Sequence, residues 1–171
     1  EDRDVVQNYL KLLFREIDLL REFFDKNSIN ADFQEIHIGG GSPSSLDKEQ
    51  FSQIVEKLKS IVDMRKLRRF SLEIDPRDAD RDKMEFYHTM GVNRISFGIQ
   101  DFDMEVQKAI NRIQPVELME KILAPDIRKY FGGVNFDILC GLPQQTRDSF
   151  KKTMEHAIKL SPDRIMLMFL T

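Results

Sequence analysis

Five apolar runs in this chain end in residues able to hold a small polar ligand. Glu35-Ile36-His37-Ile38 runs into Gly39-Gly40-Gly41-Ser42, and the next run carries Glu73 and Asp75. The third ends at Gln100-Asp101, the fourth carries Asp137 and Cys140, and the last reaches Thr171. Three successive glycines cost chain entropy, which a ligand approaching the backbone would explain, although a tight turn would also use them. Carboxylates and carboxamides accept hydrogen bonds from hydroxyl and ammonium groups. Glu73, in an apolar run, is either a buried acid satisfied by an arginine or a ligand contact. Asp137, between Phe136 and Ile138, needs a partner from the protein or from a ligand. Gln100 alone decides nothing. Arg112, in Asn111-Arg112, reads on composition as a solvated helix residue, and Cys140 as a small core residue.

Several chemistries are excluded. The glycine stretch is not a dinucleotide fingerprint, because Ser44 stands where the third glycine would fall, and no Gly-Lys-Ser/Thr follows as in a P-loop. No serine sits in a nucleophile elbow. His37, His88 and His156 lack metal-ligand spacing, and one cysteine cannot hold a four-iron cluster. A formal net charge of −3, with the basic residues spread along the chain, argues against a nucleic-acid surface. No apolar run approaches membrane-spanning length, and Glu1-Asp2-Arg3-Asp4 is unlike a signal segment. With 41% hydrophobic and 32% charged residues and one cysteine, a globular protein of the cytoplasm is expected. The chain opens into a helical pattern and closes inside a strand-like run, so a fragment of a longer protein is expected.

The elements that must position these residues follow from periodicity. Val6, Leu10, Leu13, Ile17, Leu20 and Phe24 alternate at spacings of four and three, which predicts an amphipathic helix. Asp47 and Gln50 form an N-cap pair for a helix burying Phe51, Ile54, Val55, Leu58 and Ile61. A helix over about residues 80–90 closes at Gly91, and Pro115 breaks the helical stretch that follows the third run. Arg128 is expected on a solvated helix. Thr146 caps a helix burying Phe150, Met154, Ala157 and Ile158. Strands are expected at 35–38, 70–74, 94–100, 133–139 and 164–171, spaced by roughly the length of a βα unit. Strands alternating with helices define an α/β fold with a parallel sheet and right-handed crossovers. The sheet is either open and doubly wound or part of a barrel. In both, ligands bind beyond the carboxyl ends of the strands, so the polar residues named above should line one rim.

Taken in order, these motifs resemble a known family. They are Ile-Gly-Gly-Gly-Ser-Pro-Ser (38–44), Leu-Glu-Ile-Asp-Pro-Arg (72–77) and Val-Asn-Arg-Ile-Ser-Phe-Gly-Ile-Gln-Asp-Phe-Asp (92–103). Asn-Arg-Ile-Gln (111–114) and Val-Asn-Phe-Asp-Ile-Leu-Cys-Gly-Leu-Pro-Gln-Gln-Thr (134–146) complete the series. The series is similar to the oxygen-independent coproporphyrinogen III oxidase group of radical S-adenosylmethionine enzymes. A haem chaperone-like branch on the same barrel is the alternative. Asp75-Pro76-Arg77, Gln100-Asp101-Phe102 and Asn111-Arg112-Ile113-Gln114 favour the oxidase. Ser42 replaces a usual threonine, Cys140 a common tyrosine, and the segment 123–126 departs from the usual helix.

The resemblance implies a parallel (βα) repeat, with residues 1–171 supplying five of the six strands of a partial TIM-like radical SAM barrel. The first strand, its cluster-binding loop and the C-terminal domain would be absent. It implies two cofactors, S-adenosylmethionine and a 4Fe-4S cluster whose cysteine ligands are not in this chain. It implies an oxidoreductase of haem biosynthesis. A 5′-deoxyadenosyl radical would remove hydrogen from two propionates of coproporphyrinogen III, leaving vinyl groups after loss of carbon dioxide. An unidentified electron donor would be needed, with no nucleic-acid or membrane partner, and the isolated fragment would be inactive. By the same resemblance, Gly40, Gly41 and Ser42 receive the methionine amino group. Gln100 and Asp137 contact the ribose hydroxyls, and Arg112 pairs with the methionine carboxylate. Glu73 contacts a second S-adenosylmethionine, and Thr171 lies near the adenine.

Overall fold

The computed structural model describes residues 3–170, so Thr171 lies outside the described residues. The chain runs α1 (Arg3–Lys26), β1 (Glu35–Ile38), α2 (Lys48–Leu58), β2 (Arg69–Ile74), α3 (Arg81–Thr89) and β3 (Arg94–Gln100). It continues through α4 (Met104–Ala109), α5 (Val116–Ile122), α6 (Pro125–Arg128), β4 (Gly133–Cys140), α7 (Arg147–Lys159) and β5 (Arg164–Phe169). The expected punctuation is present. Asp47 and Gln50 form a reciprocal capping box, and Thr146 and Ser149 form another. Gly91 ends α3 at φ +93°, a conformation costly for any side chain. Pro115, which cannot donate a backbone hydrogen bond, stands at the N-cap of α5.

The residues group into two compact units, Glu1–Ile36 with Leu46–Arg69, and His37–Ser45 with Phe70–Thr171. In the first, α1 packs on α2 and buries Leu10 and Ile17 with Phe51, Ile54 and Val55. Lys57 Nζ donates to Asp18 Oδ2 at 2.7 Å. The helical stripe is narrower than its periodicity suggests, for Leu20 is exposed and Leu58 and Ile61 are half-buried.

The second unit holds the sheet from β2 to β5, whose strands pair in parallel, and the full strand order is β1-β2-β3-β4-β5. A doubly wound sheet reverses direction at a switch point. Here each crossover steps the same way, which is the winding of a (βα) barrel. One face of the sheet is apolar. Ile95, Phe97 and Ile99 of β3 and Val134, Phe136 and Ile138 of β4 are fully buried, with Phe97 and Phe136 edge to face. Met84, Tyr87, Val106, Met119, Ile127 and Ala157 contribute from the helices.

The opposite face carries Ser71, Glu73, Arg94, Ser96, Gly98, Gln100, Asn135 and Asp137, by the alternation of side chains along each strand. Parallel strands are ordinarily apolar on both faces. The opposite face also carries the apolar Leu139, Met166 and Met168 towards β5, so its polar part is confined to β2, β3, β4 as far as Asp137, and Arg164 at the start of β5.

Two helical expectations are corrected. Ile158 is 65% exposed, and Thr153 is buried in its place. The inward stripe of α7 passes through Thr153 and Ala157, and Ile158 lies one residue round the helix. Thr153 can be buried because its hydroxyl donates to Asp101 Oδ1 at 2.5 Å and accepts from the Phe102 N–H at 3.1 Å. Arg128 is half-buried and paired rather than freely solvated. Its guanidinium donates to the Phe131 carbonyl at 2.7 Å and to Asp163 Oδ2 at 2.5 Å, and Asp163 also accepts from the Val134 N–H at 2.6 Å. Arg128 thereby pins the entry to β4.

Candidate cofactor site

The loop after β1 is folded by its glycines. Gly40 and Gly41 adopt φ of +82° and +63°. The Gly40 N–H donates to Glu73 Oε2 at 3.0 Å, and His37 Nε2 lies 3.0 Å from Glu73 Oε1. The bare backbone of Gly39 lets the carboxylate lie close, since a Cβ there would sit 2.6 Å from Glu73 Oε1 and push it aside. Glu73 therefore has both carboxylate oxygens engaged within the protein, one by the glycine loop. Ser42 Oγ faces Asp78 Oδ2 at 3.4 Å.

The fully buried Ser44 ties this loop to the turn after β2. Its hydroxyl donates to Asp78 Oδ2 at 3.0 Å and accepts from the Asp75 N–H at 3.0 Å, while its carbonyl accepts from Lys83 Nζ at 2.8 Å. Asp75 in turn gathers arginines. Its carboxylate accepts from Arg77 Nε at 3.0 Å, Arg77 Nη2 at 2.7 Å and Arg112 Nη2 at 2.8 Å. Burial pushes the Asp75 carboxyl up, but the hydrogen bonds from Arg77 and the charges of Arg112 and Arg77 outweigh it. The group is held below the ordinary carboxylate range.

Arg112 lies on the turn between α4 and α5, just after Asn111 at φ +54°. The turn is brought back over the end of β3 by a buried carboxamide pair. Gln107 Nε2 donates to the carbonyls of Asp101 and Gln114 at 3.0 and 2.9 Å, and Gln107 Oε1 accepts from the Gln114 N–H at 3.0 Å. Gln114 Nε2 then donates to the Ile99 carbonyl and, at 3.3 Å, to that of Gly98. Arg112 Nη2 reaches the same Gly98 carbonyl at 3.3 Å.

β3 itself ends irregularly. Gly98 pairs with Asp137 but Gln100 with Ile138, so one extra residue is inserted. Gln100 has φ +62° and the Asp101 N–H donates to the Ile99 carbonyl at 2.8 Å, a strained γ-turn centred on Gln100. A Cβ on Gly98 would lie 2.9 Å from Gln100 Nε2 and 3.5 Å from Arg112 Nη2. Gln100 and Arg112 thus converge over a bare glycine. Next to it on β4, Asp137 Oδ2 accepts from Ser96 Oγ at 2.8 Å and Asp137 Oδ1 from Asn135 Nδ2 at 2.7 Å.

The structure therefore puts Glu73, Gln100, Arg112 and Asp137 on one side of the sheet, with the Gly40–Ser42 loop bound to Glu73. Asp137 sits level with Gly98, one inward position below Gln100. Thr171 lies outside the described residues. Sequence reading passed over the residues that support the site: Ser44, Asp75 as an arginine acceptor, Ser96, Gln107, Gln114, Asn135 and Gly98. Only Gly98, a glycine inside a strand, carried a local signal.

The residues present suit a ligand with both a carboxylate and vicinal hydroxyls. Gln100 Oε1 and Arg112 Nε are buried and lack any hydrogen-bond partner. An orphaned acceptor and an orphaned cationic donor over a glycine are costly unless a ligand completes them.

A parallel (βα) repeat with such a rim is the architecture of barrels that bind ligands at their strand ends. Residues 7–157 match the radical SAM superfamily, and the chain belongs to it. It is 39% identical over 160 residues to the oxygen-independent coproporphyrinogen III oxidase of Helicobacter pylori, covering 92% of this chain and 34% of that protein. The Pseudomonas aeruginosa enzyme of the same name is 36% identical over 167 residues, covering 96% and 36%. The solved coproporphyrinogen III oxidase of Escherichia coli, described as a radical SAM enzyme, superposes with a TM-score of 0.90 at 31% identity. That match covers 100% of this chain and 38% of the other. The chain thus spans about a third of the length of the relatives it matches. The superfamily implies S-adenosylmethionine and a four-iron cluster. The site above fits the former. It does not fit the latter, because Cys140 is the chain's single cysteine. Among the described residues no group of three His, Cys, Asp or Glu could hold a metal, and no helix is long and apolar enough to cross a membrane.

Proposed function

We propose that these residues form the S-adenosylmethionine-binding part of an oxygen-independent coproporphyrinogen III oxidase of the cytoplasm. The observation that carries this reading is the pair of orphaned groups, Gln100 Oε1 and Arg112 Nε, converging over Gly98 beside Asp137. When bound, S-adenosylmethionine and the cluster supply the radical that takes hydrogen from a propionate side chain. Arg112 offers its guanidinium to the methionine carboxylate, held in place from behind by Asp75 and the Gly98 carbonyl. Asp137 and Gln100 accept from the ribose hydroxyls, since a carboxylate can take both protons of a diol. The Gly40–Ser42 loop offers carbonyl and hydroxyl oxygens to the methionine ammonium group. Glu73, already braced between His37 and the Gly40 N–H, presents the edge of its carboxylate towards a second S-adenosylmethionine. Thr171 would lie near the adenine. The cluster ligands, the substrate-binding domain and the electron donor would come from outside these residues.

The test is product analysis of the full-length protein under anaerobic conditions, with its cluster reconstituted and a chemical reductant supplied. Conversion of coproporphyrinogen III to protoporphyrinogen IX, with two equivalents of carbon dioxide, is expected. Haem binding without decarboxylation would place the protein in the chaperone-like branch instead.

A further inference from the structure

On the sheet face below the site, Ser96, Asn135 and Arg164 form a chain of hydrogen bonds that ends on Asp137. Asn135 is 2% exposed and uses every polar atom of its side chain. Its Nδ2 donates to Asp137 Oδ1 and to Ser96 Oγ, both at 2.7 Å, and its Oδ1 accepts from Arg164 Nε at 2.9 Å. Ser96 Oγ in turn donates a hydrogen bond to Asp137 Oδ2 at 2.8 Å. The strand register makes this possible. Ser96 pairs with Asn135 and Asn135 with Arg164, so the three stand side by side on β3, β4 and β5, one inward step below Asp137.

The order of donors and acceptors has only one consistent sense. A carboxamide has one accepting and one donating end. Arg164 can only donate, so it turns the Asn135 oxygen towards itself and the Asn135 amino group towards Asp137. If Asn135 were reversed, a carbonyl would face a carboxylate and an amino group a guanidinium. Arg164 has no carboxylate within salt-bridge reach among the described residues, and its Nε is committed to the Asn135 oxygen. The result is one donor on each oxygen of Asp137, which fixes the plane of the carboxylate. Two lone pairs remain on the outer edge, the number a vicinal diol requires.

We infer that Asn135 and Arg164, with Ser96, are positioning residues that fix the Asp137 carboxylate in the plane that accepts the ribose diol of S-adenosylmethionine. The inference rests on the reading of Asp137 as the ribose contact.

The test is calorimetric titration of the full-length, cluster-reconstituted protein with two ligands, S-adenosylmethionine and its 2′,3′-dideoxy analogue. Asn135→Ala, Arg164→Met and Asp137→Ala are compared, with melting temperatures measured beside them. Asp137→Ala should weaken S-adenosylmethionine binding by about thirtyfold, Asn135→Ala by about tenfold and Arg164→Met by about threefold to tenfold. None should change affinity for the dideoxy analogue by more than about twofold, because the analogue has no diol to lose. Asn135→Ala added to Asp137→Ala should weaken binding no further. If Asp137→Ala leaves S-adenosylmethionine binding unchanged, the ribose reading of Asp137 falls and this inference with it. If Asp137→Ala weakens binding while Asn135→Ala and Arg164→Met do not, the inference alone falls. Equal losses for both ligands would make the network a matter of folding and overturn it as well. Should Asn135→Ala fail to fold, Arg164→Met decides, because Arg164 is exposed at the start of its strand.

Discussion

Replacing Arg112 with alanine is the most direct test of the site. In the structure the side chain makes two contacts through one nitrogen, to Asp75 Oδ2 and the Gly98 carbonyl, and leaves Nε buried and unpaired. Its removal leaves Asp75 with three donors from Arg77, the backbone N–H, Nε and Nη2, so the buried carboxylate stays satisfied. The cost to folding should therefore be small, while the ligand loses a charge-assisted partner worth about 1.5–3 kcal/mol. S-adenosylmethionine binding should weaken by about one to two orders of magnitude. Arg112→Lys should recover part of this, since an ammonium can reach Asp75 but cannot fork onto a planar carboxylate. Arg128, pinned between Phe131 and Asp163, is no neutral control. Lys151 on α7, with its side chain 77% exposed, is a suitable one. The assay is calorimetric titration of S-adenosylmethionine into the full-length protein and its variants. Unchanged affinity in Arg112→Ala, with an unchanged melting temperature, would remove Arg112 from the site.

Three further outcomes are expected. Gly98→Ala should change the melting temperature little, because its Cβ meets side-chain ends, Gln100 Nε2 at 2.9 Å and Arg112 Nη2 at 3.5 Å, and no backbone, yet should weaken S-adenosylmethionine binding by displacing that carboxamide; equal affinity in titration would show that Gln100 does not contact the ligand. Thr153→Val should destabilise the protein by about 1–3 kcal/mol in chemical denaturation, as Asp101 loses a donor and the Phe102 N–H its acceptor; no shift in midpoint would refute this. Asp75, whose carboxyl is held below the ordinary range, contributes stability that is full above its unfolded-state pKa and is lost as pH falls through the folded one. Asp75→Asn should accordingly be less stable than the parent at neutral pH, with the difference shrinking in acid; a constant difference across an acid titration would contradict the assignment.

Much of this was written locally in the chain. Side-chain alternation located β3 at its observed bounds, and Asp47, Gly91, Pro115 and Thr146 marked helix ends because caps and breaks depend on a few neighbouring residues. Motifs in order pointed to the superfamily and to Gln100, Arg112 and Asp137. Tertiary structure alone decided the rest. The sequential strand order, which separates a barrel from a doubly wound sheet, depends on where each crossover lands. The γ-turn at Gln100 arises from a register shift against β4, and a single strand cannot encode its partner's register. Ser96, Asn135 and Arg164 are ordinary polar residues in sequence, and they become one network only when three strands align. Thr153 displaced Ile158 from the buried face because Asp101, more than fifty residues away in the chain, supplied its hydroxyl with a partner. Periodicity tells which residues can face inward; hydrogen-bond partners brought from distant segments determine which polar ones do.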